Sequence, residues 1–230
     1  MAETEKGLVI FDCDGVLVDS EPLSIAVLVQ AMRDTGIEID EEGAYQRFLG
    51  KSLATLIDTL ETEFNVFADQ AFLDRIREDL YARFRIELQP IPGISEVLDT
   101  LDMPRCVASS SQLERIKLSL GLTGLLDRLE PNIFSASMVK RGKPAPDLFL
   151  YAAKQMGVEP RKCIVVEDSP AGIMAARAAG MTVFAFTGGS HANSAHYKSE
   201  LARLAPEVVF DAMPDLIHLV QKVRMDGTRP

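Results

Sequence analysis

The sequence predicts an α/β protein in which a parallel sheet forms the core and a helical cap is inserted after the first strand. Short apolar runs rich in β-branched residues recur along the chain, and segments of helical period separate most of them. This alternation fails over one long stretch that follows the first run. Strands that alternate with helices are typical of a parallel sheet covered on both faces, so we expect a Rossmann-like core.

Six apolar runs are the predicted strands. The first, LVIFD, is continuous and apolar, which is typical of a strand buried on both faces of a sheet. The others are RCVAS, NIFSA, KCIVVED, MTVFAF and EVVF, and in chain order the six occupy residues 8–12, 105–109, 132–136, 162–168, 181–186 and 207–210. Leu113, Ile116 and Leu120 follow a helical stripe, and we expect Gly121 to end that helix.

Residues 20–87 contain no convincing strand, and helical stripes recur there instead. The apolar positions of three stripes are Ile25, Leu28, Val29 and Met32, then Leu53, Leu56, Ile57 and Leu60, then Leu73, Ile76, Leu80 and Phe84. The two prolines and the glycine of QPIPGI, at residues 89–94, break the last of these helices. We therefore expect residues 1–19 and 88–230 to form the catalytic core and residues 20–87 to form a helical cap, with hinges near residues 17–21 and 86–93.

Composition and charge exclude several classes of function. With 47% hydrophobic residues, 25% charged residues and a formal net charge of −10, the chain is unlike proteins that bind nucleic acid through a basic face. No stretch approaches the roughly 18 apolar residues of a membrane span. We expect a monomer with no nucleic acid or membrane partner.

Two further features indicate the compartment. The N-terminal MAETEK lacks the basic and apolar regions of a secretory signal, so we expect a cytoplasmic protein. Cys13, Cys106 and Cys163 are an odd number at wide spacings inside apolar runs, which favours reduced core thiols over disulfides or a zinc site.

Acidic and hydroxyl side chains gather where the predicted strands end, which is where α/β sheets bind ligands. Asp12 and Asp14 follow the first strand, Ser109 to Ser111 the second, and Glu167 and Asp168 the fourth. Two carboxylates about 5 Å apart repel each other by roughly 3 kcal/mol at an effective dielectric constant near 20, so a cation is expected between them. Oxygen ligands without a histidine or cysteine set favour Mg²⁺, which would in turn hold a substrate phosphate.

The same side chains can perform phosphoryl transfer. A carboxylate is a competent nucleophile toward phosphorus, and a second acid can protonate the leaving oxygen and then activate water. Lys143 and Ser109 would neutralise and orient the phosphoryl oxygens, and Gly15 lets the backbone approach the phosphate closely.

Four motifs carry a resemblance to a known family. The segments DCDGVLVDS (12–20), ASSS (108–111), RGKPAPDLF (141–149) and VVEDSPAGI (165–173) resemble those of the haloacid dehalogenase superfamily, in its phosphatase and β-phosphoglucomutase-like branch with a helical cap. The resemblance implies that Asp12 is the nucleophile and Asp14 the general acid and base. It also implies a phosphate site and a Mg²⁺ site. The phosphate site would comprise Ser109, Ser110 and Lys143, and the metal ligands would be Asp12, the backbone carbonyl of Asp14, and Asp168, with Glu167 as a neighbouring or alternate ligand.

The sequence departs from the mutases of that branch. These carry a histidine in the first cap helix and an arginine in the cap loop, where this chain has Ser24 and Leu53. The segments MPRCVASSS and AAKQMGV are also similar to bacterial 6-phosphogluconate phosphatases of the same branch. We therefore predict a Mg²⁺-dependent phosphatase that hydrolyses a small phosphorylated metabolite, a sugar or sugar-acid phosphate, through an aspartyl-phosphate. A sugar-phosphate mutase and a phospho-accepting or ligand-binding module are the alternatives.

Each feature also has a simpler interpretation. Asp12 and Asp14 could form a turn, and Lys143 could be a solvated loop lysine. Ser111 and Glu114 have the spacing of a capping box, so we expect Ser111 to cap a helix. In the cap, Gly50 and Lys51 either form a specificity loop over the site, or Lys51 is simply solvated. The three histidines, His191, His196 and His218, lie outside every motif and are assigned to the surface or to packing.

Overall fold

In the computed structural model, residues 7–49, 53–193 and 195–226 are described. They contain a six-stranded sheet with the strand order β3-β2-β1-β4-β5-β6, in which every neighbouring pair is parallel. The strands are β1 (Leu8–Phe11), β2 (Arg105–Ser109), β3 (Ile133–Ser135), β4 (Cys163–Glu167), β5 (Thr182–Phe186) and β6 (Val208–Phe210). All six predicted strands and the predicted α/β fold class are confirmed.

The central strand β1 shows why continuous apolar runs form this sheet. Its side chains alternate between the two faces, and both faces are covered. Val9 and Phe11 pack into one buried apolar cluster, whereas Leu8 and Ile10 pack into another on the opposite face. A strand with this environment needs apolar side chains at every position.

Helices follow β1, as the failed alternation predicts, and of the five described helices between β1 and β2 the first four form the insertion, one more than the three predicted stripes. These four are α1 (Glu21–Asp34), α2 (Glu41–Phe48), α3 (Leu53–Phe64) and α4 (Gln70–Glu87). Asp40 and Asp69 cap α2 and α4, because their carboxylates accept hydrogen bonds from the backbone N–H groups of Gly43 and Phe72. These helices bury an apolar cluster of their own, which includes Ile25, Leu28, Val29, Met32, Leu60 and Phe72. The exact division into a core and a cap that moves as a unit stays a prediction.

The remaining helices flank the sheet. They are α5 (Ile94–Thr100), α6 (Leu113–Leu122), α7 (Asp147–Gln155), α8 (Pro170–Ala178), α9 (Ala195–Arg203) and α10 (Leu216–Asp226). Gly121 lies inside α6, so the expectation that it ends this helix is wrong. The chain turns at Gly124 instead, where φ is +71°.

Two connections run side by side. One joins β1 to the four inserted helices, and the other joins those helices to α5. The backbone N–H of Asp19 donates to the carbonyl of Gln89 at 3.0 Å, and that of Ile91 donates to the carbonyl of Leu17 at 3.0 Å. The entry and exit of the helical insertion are therefore joined. Among the helices of the described ranges, none is long and apolar enough to cross a membrane.

Candidate active site

The order of the strands brings the predicted site residues together. Asp12 directly follows β1, and β1 lies between β2, which ends at Ser109, and β4, which ends at Glu167. In an open parallel sheet, the crevice for ligands lies at the carboxyl ends of such neighbouring strands. Asp12 is fixed to the adjacent strand, because its backbone N–H donates to the carbonyl of Val166 at 3.0 Å.

Gly15 makes the turn after β1 possible. Its φ is +76°, and a Cβ at this position would lie 2.0 Å from Oδ2 of Asp168. Only glycine combines this backbone conformation with such a close approach between the first and fourth strand-end loops.

Lys143 reaches from the loop before α7 into the middle of the site. Its Nζ lies 2.7 Å from Oδ1 of Asp12 and 2.6 Å from Oε1 of Glu167, and its side chain is only 3% exposed. Phe149 lies beneath the ammonium, with Nζ 4.8 Å from the ring centroid. The interpretation of Lys143 as a solvated lysine is therefore excluded.

The ionisable groups of this cluster shift one another's pKa values. Burial raises the pKa of Asp12 well above its usual value, and the neighbouring acids add to that rise while Lys143 opposes it. Burial alone would lower the pKa of Lys143, but the carboxylates of Asp12 and Glu167 outweigh it and raise that pKa. Lys143 is therefore charged and fixes the Asp12 carboxylate in place.

Three buried carboxylates could hold a metal ion. Asp12, Glu167 and Asp168 each offer an oxygen, and these oxygens all lie within 4.8 Å of one another. The donors are all hard oxygens, which fits Mg²⁺. Glu167 is already engaged, since Oε1 accepts from Lys143 and Oε2 accepts from the N–H and hydroxyl of Ser169 at 2.8 and 2.9 Å. Asp12 and Asp168 are therefore the carboxylates that remain available to an ion.

Asp14 lies beside this cluster, and its side chain has other partners. Its carboxylate accepts hydrogen bonds from the hydroxyls of Ser20 and Ser111, both at 2.6 Å, and from Nη2 of Arg115 at 2.8 Å. Burial would raise the pKa of Asp14, but the charge of Arg115 and these hydrogen bonds outweigh it and lower that pKa. Asp14 is therefore ionised in this conformation.

The contacts of the three serines at the end of β2 differ from the prediction. Ser111 does not cap α6: Gln112 is the N-cap residue, without a side-chain bond, and the Ser111 hydroxyl points to Asp14 instead. Ser109 is buried, and its hydroxyl accepts from the N–H of Ser111 at 3.1 Å. Ser110 is exposed. Gly50 and Lys51, the predicted cap specificity residues, lie outside the described residues.

His191 belongs to the site, although we assigned it to the surface or to packing. It is buried in the loop after β5, and its Nε2 lies 2.8 Å from Oδ2 of Asp168. The Tyr197 hydroxyl donates to the backbone carbonyl of Asp168 at 2.9 Å. Because β5 is the neighbour of β4, the loop after β5 comes next to Asp168. No strand order is predicted from the sequence, so no sequence signal pointed to His191.

Burial lowers the pKa of His191, but the adjacent carboxylate of Asp168 outweighs it, so the pKa is raised. Asp168 itself keeps a raised pKa because of its burial, although His191 opposes that rise. The protonation of Asp168 and that of His191 therefore depend on each other, beside the possible metal site.

Arg115 and Ser20 are further contributors to the site that the sequence analysis did not single out. Arg115 lies on α6, 101 residues along the chain from Asp14, and only the fold brings the two together. Ser20 stands at the end of the first motif, but nothing in that motif tells which acid its hydroxyl binds.

Comparisons with known proteins show the family of the chain. Residues 7–180 match the family model described as haloacid dehalogenase-like hydrolase. The chain is 35% identical over 184 residues to the 6-phosphogluconate phosphatase of Escherichia coli, a match that covers 80% of this chain and 83% of the relative.

Solved structures show the same fold. A conserved haloacid dehalogenase-like protein of unknown function from Agrobacterium tumefaciens has 37% identity and a TM-score of 0.83, with 95% of this chain and 99% of the other covered. A hydrolase of the same family from Deinococcus radiodurans, solved with bound phosphate and sodium, has 29% identity and a TM-score of 0.76, with 97% and 98% covered. The likeness therefore extends over the sheet and the helical insertion.

Proposed function

The chain belongs to the haloacid dehalogenase-like hydrolase family and is a phosphoric monoester hydrolase, and from this premise we propose that it hydrolyses a small sugar or sugar-acid phosphate. We further propose that Asp12 is the nucleophile, that Asp14 is the general acid and base, and that Mg²⁺ is the cofactor. The name of the Escherichia coli relative supports the substrate class, and the phosphate bound to the Deinococcus structure supports a phosphate site. We place the activity in the cytoplasm and on a monomer.

One observation carries the proposal: the Asp12 carboxylate sits at the end of the central strand, held on one oxygen by Lys143. A nucleophile must be oriented before it attacks, and a fixed ammonium beside it can also neutralise phosphoryl oxygens. Bound Mg²⁺ would supply further neutralisation of the phosphoryl charge, with Asp12 and Asp168 as its side-chain ligands. Glu167 would hold Lys143, and Ser109 would lie beside the phosphate.

The chemistry then proceeds in two displacements. A carboxylate oxygen of Asp12 bonds to phosphorus while the ester oxygen leaves and takes a proton from Asp14, which yields the free alcohol and an aspartyl-phosphate. Asp14, now ionised, takes a proton from water, whose oxygen bonds to phosphorus and releases inorganic phosphate and Asp12.

The ionised state of Asp14 in this structure suits the second displacement. For the first, Asp14 must gain a proton, and the negative charge of an arriving phosphate favours that uptake.

The test is phosphate release from p-nitrophenyl phosphate and from a panel of sugar and sugar-acid phosphates, with Mg²⁺ and after chelation. We expect activity only with the metal, and none in Asp12→Asn. Full activity after chelation, or in that variant, would show that the proposed chemistry is wrong.

A mutase is the second candidate, because it would share the fold and the nucleophile. At the position of its cap histidine, this chain has Ser24, whose hydroxyl donates to the backbone carbonyl of Ser20 at 3.0 Å. A hydroxyl cannot replace imidazole as a proton carrier near neutral pH. Incubation with a hexose 1-phosphate distinguishes the two, since a phosphatase yields inorganic phosphate and a mutase yields the hexose 6-phosphate.

A further inference from the structure

Arg115 extends from α6 into the space between the sheet and the inserted helices. Its Nη2 lies 2.8 Å from Oδ1 of Asp14 and 3.2 Å from the hydroxyl of Ser24 on α1. Its Cζ lies 5.4 Å from the ring centroid of Phe84 on α4. This side chain therefore contacts the proposed general acid and both helices at the ends of the insertion.

Most of the donors of this guanidinium are unused. An arginine carries five N–H groups, and both hydrogen bonds of Arg115 come from Nη2. Within the described part of the chain, Nε and Nη1 have no hydrogen-bond partner, and Nε is buried. Buried polar groups in proteins are normally paired, so an unpaired guanidinium edge next to a catalytic acid needs an explanation. Nε is closed to a ligand, but the side chain keeps 23% of its surface exposed and Nη1 is not among the buried atoms, so a ligand can reach Nη1.

The electrostatic surroundings make such a group useful. The site is rich in carboxylates. Burial would lower the pKa of Arg115, but the carboxylates of Asp14 and Glu21 outweigh it and raise that pKa. A substrate with a second negative group beyond its phosphate would be repelled here unless a cation faced that group. Lys143 is unsuited to this task, because it is bound to Asp12 and Glu167. Arg115 has donors to spare.

Arg115 lies beside the proposed catalytic acids, where the sheet meets the inserted helices. Asp14 is two residues from Asp12, so the guanidinium on Asp14 lies one side chain away from the proposed phosphate site. Nη1 carries two N–H groups, and hydrogen bonds from a charged guanidinium to a carboxylate are short and strong.

Resting on the proposed function, we propose that Arg115 binds a carboxylate at the end of the substrate opposite the phosphate, so that the enzyme selects phosphorylated sugar acids over neutral sugar and polyol phosphates. The name of the 6-phosphogluconate phosphatase relative designates a compound of this class. Arg115 then has two contacts in the complex: Nη2 donates to Asp14, and Nη1 donates to the carboxylate.

The test compares two substrates that differ only at the far end: gluconate 6-phosphate, with a carboxylate, and glucitol 6-phosphate, with a hydroxymethyl group. The wild-type enzyme should prefer the acid. In Arg115→Met, kcat/KM for the acid should fall about 10- to 100-fold more than kcat/KM for the polyol, as expected for a lost charged hydrogen bond. The extra loss should appear mainly in KM, because the carboxylate contact is the same in the bound substrate and in the transition state.

The readout is the ratio of kcat/KM for the acid to kcat/KM for the polyol, because loss of the Asp14 contact would lower kcat for both substrates. Lys117→Met is the matched control: it removes the same charge from α6, where Lys117 is exposed and pairs with Glu130 at 2.7 Å. The control should leave the ratio unchanged. Arg115→Lys retains the charge without the Nη1 N–H groups and should show an intermediate ratio; it replaces the methionine variant if that one does not fold.

Binding gives a second readout without turnover. By calorimetry on Asp12→Asn, gluconate 6-phosphate should bind more tightly than glucitol 6-phosphate, and adding Arg115→Met should abolish this difference. An equal loss for both substrates would overturn the inference and leave Arg115 as a positioning residue for Asp14. If no ester releases phosphate in wild-type protein with Mg²⁺, the proposed function itself has failed, which is a different outcome.

Discussion

Two carboxylates share one ammonium at the centre of the site. Asp12 and Glu167 both bind Lys143, and all three side chains are almost fully buried, so ionisation of both acids gives the group a net negative charge even before Asp168 is counted. Removing charge from water is costly unless it is fully compensated. This group of charges therefore lowers the free energy of unfolding, and a bound cation would reduce that loss.

Asp12→Asn should accordingly stabilise the metal-free protein while it abolishes activity. The asparagine removes one negative charge and leaves the Lys143–Glu167 pair balanced, so we expect a gain of about 1 kcal/mol in the free energy of unfolding at pH 8. Urea unfolding in the presence of EDTA measures it. With saturating Mg²⁺ the order should reverse, because the wild type binds the ion more tightly.

The pH dependence of this gain has a definite sign. The pKa of Asp12 in the folded protein is raised above its unfolded value of about 3.9, so between these two values the native state binds more protons than the unfolded chain. The stability contributed by Asp12 is therefore lost as pH rises, and the advantage of asparagine should shrink as pH falls from 8 to 5. Asp74→Asn, an exposed partner of Arg77 on α4, should change stability little at either pH. An Asp12→Asn protein that is less stable than wild type in EDTA would contradict this account.

At the scale of elements, two glycines inside helices have opposite surroundings. Gly172 lies in the first turns of α8, where an added Cβ would be 1.8 Å from Oε1 of Glu167. Glu167 cannot move aside easily, because Lys143 and Ser169 hold both of its oxygens. Gly121 in α6 has open surroundings, with the nearest atom 3.9 Å from an added Cβ.

The two alanine variants should therefore change stability in opposite directions. Gly172→Ala should lower the free energy of unfolding by about 1–3 kcal/mol through overpacking, and it should lower activity because displacing Glu167 releases Lys143. Gly121→Ala should raise the free energy of unfolding by about 0.5–1 kcal/mol, since alanine favours helix over glycine, and leave activity unchanged. Urea unfolding and phosphate release measure both, and a shift of the same sign in the two variants would refute the argument.

The elements themselves were predictable because they depend on local sequence. A strand buried on both faces requires a continuous apolar run, and each of the six runs forms a strand within one residue or so of the predicted bounds. The contacts of single polar side chains were not predictable in the same way. Ser111 has the sequence spacing of a helix cap, but the fold offers it the carboxylate of Asp14, 97 residues away along the chain. A local pattern cannot reveal such a competing partner.

At the scale of the whole molecule, the described residues form three apolar clusters, one on each face of the sheet and one among the inserted helices. The sequence placed the strand-end acids at one edge because sheet topology is strongly constrained. It could not show Arg115 or His191 at the site, since both depend on how helices and loops pack after the sheet has formed. The three cysteines all belong to the sheet clusters: Cys13 to one face, and Cys106 and Cys163 to the other.

The reactivity of these thiols tests the integrity of the sheet core as a whole. The thiolate is the reactive form of cysteine, and burial raises the pKa of Cys163 to about 11 and also raises the pKa of Cys13 and Cys106. All three are at most 1% exposed. We therefore expect no thiol to react rapidly with Ellman's reagent at pH 8 in the native protein, with or without substrate, and three to react in guanidinium. Gln30→Cys, at an exposed position of α1, should add one rapidly reacting thiol. If a native cysteine reacts as fast as this control, the sheet core opens far more readily than its packing implies; if substrate alone exposes one, movement of the inserted helices reaches into the core.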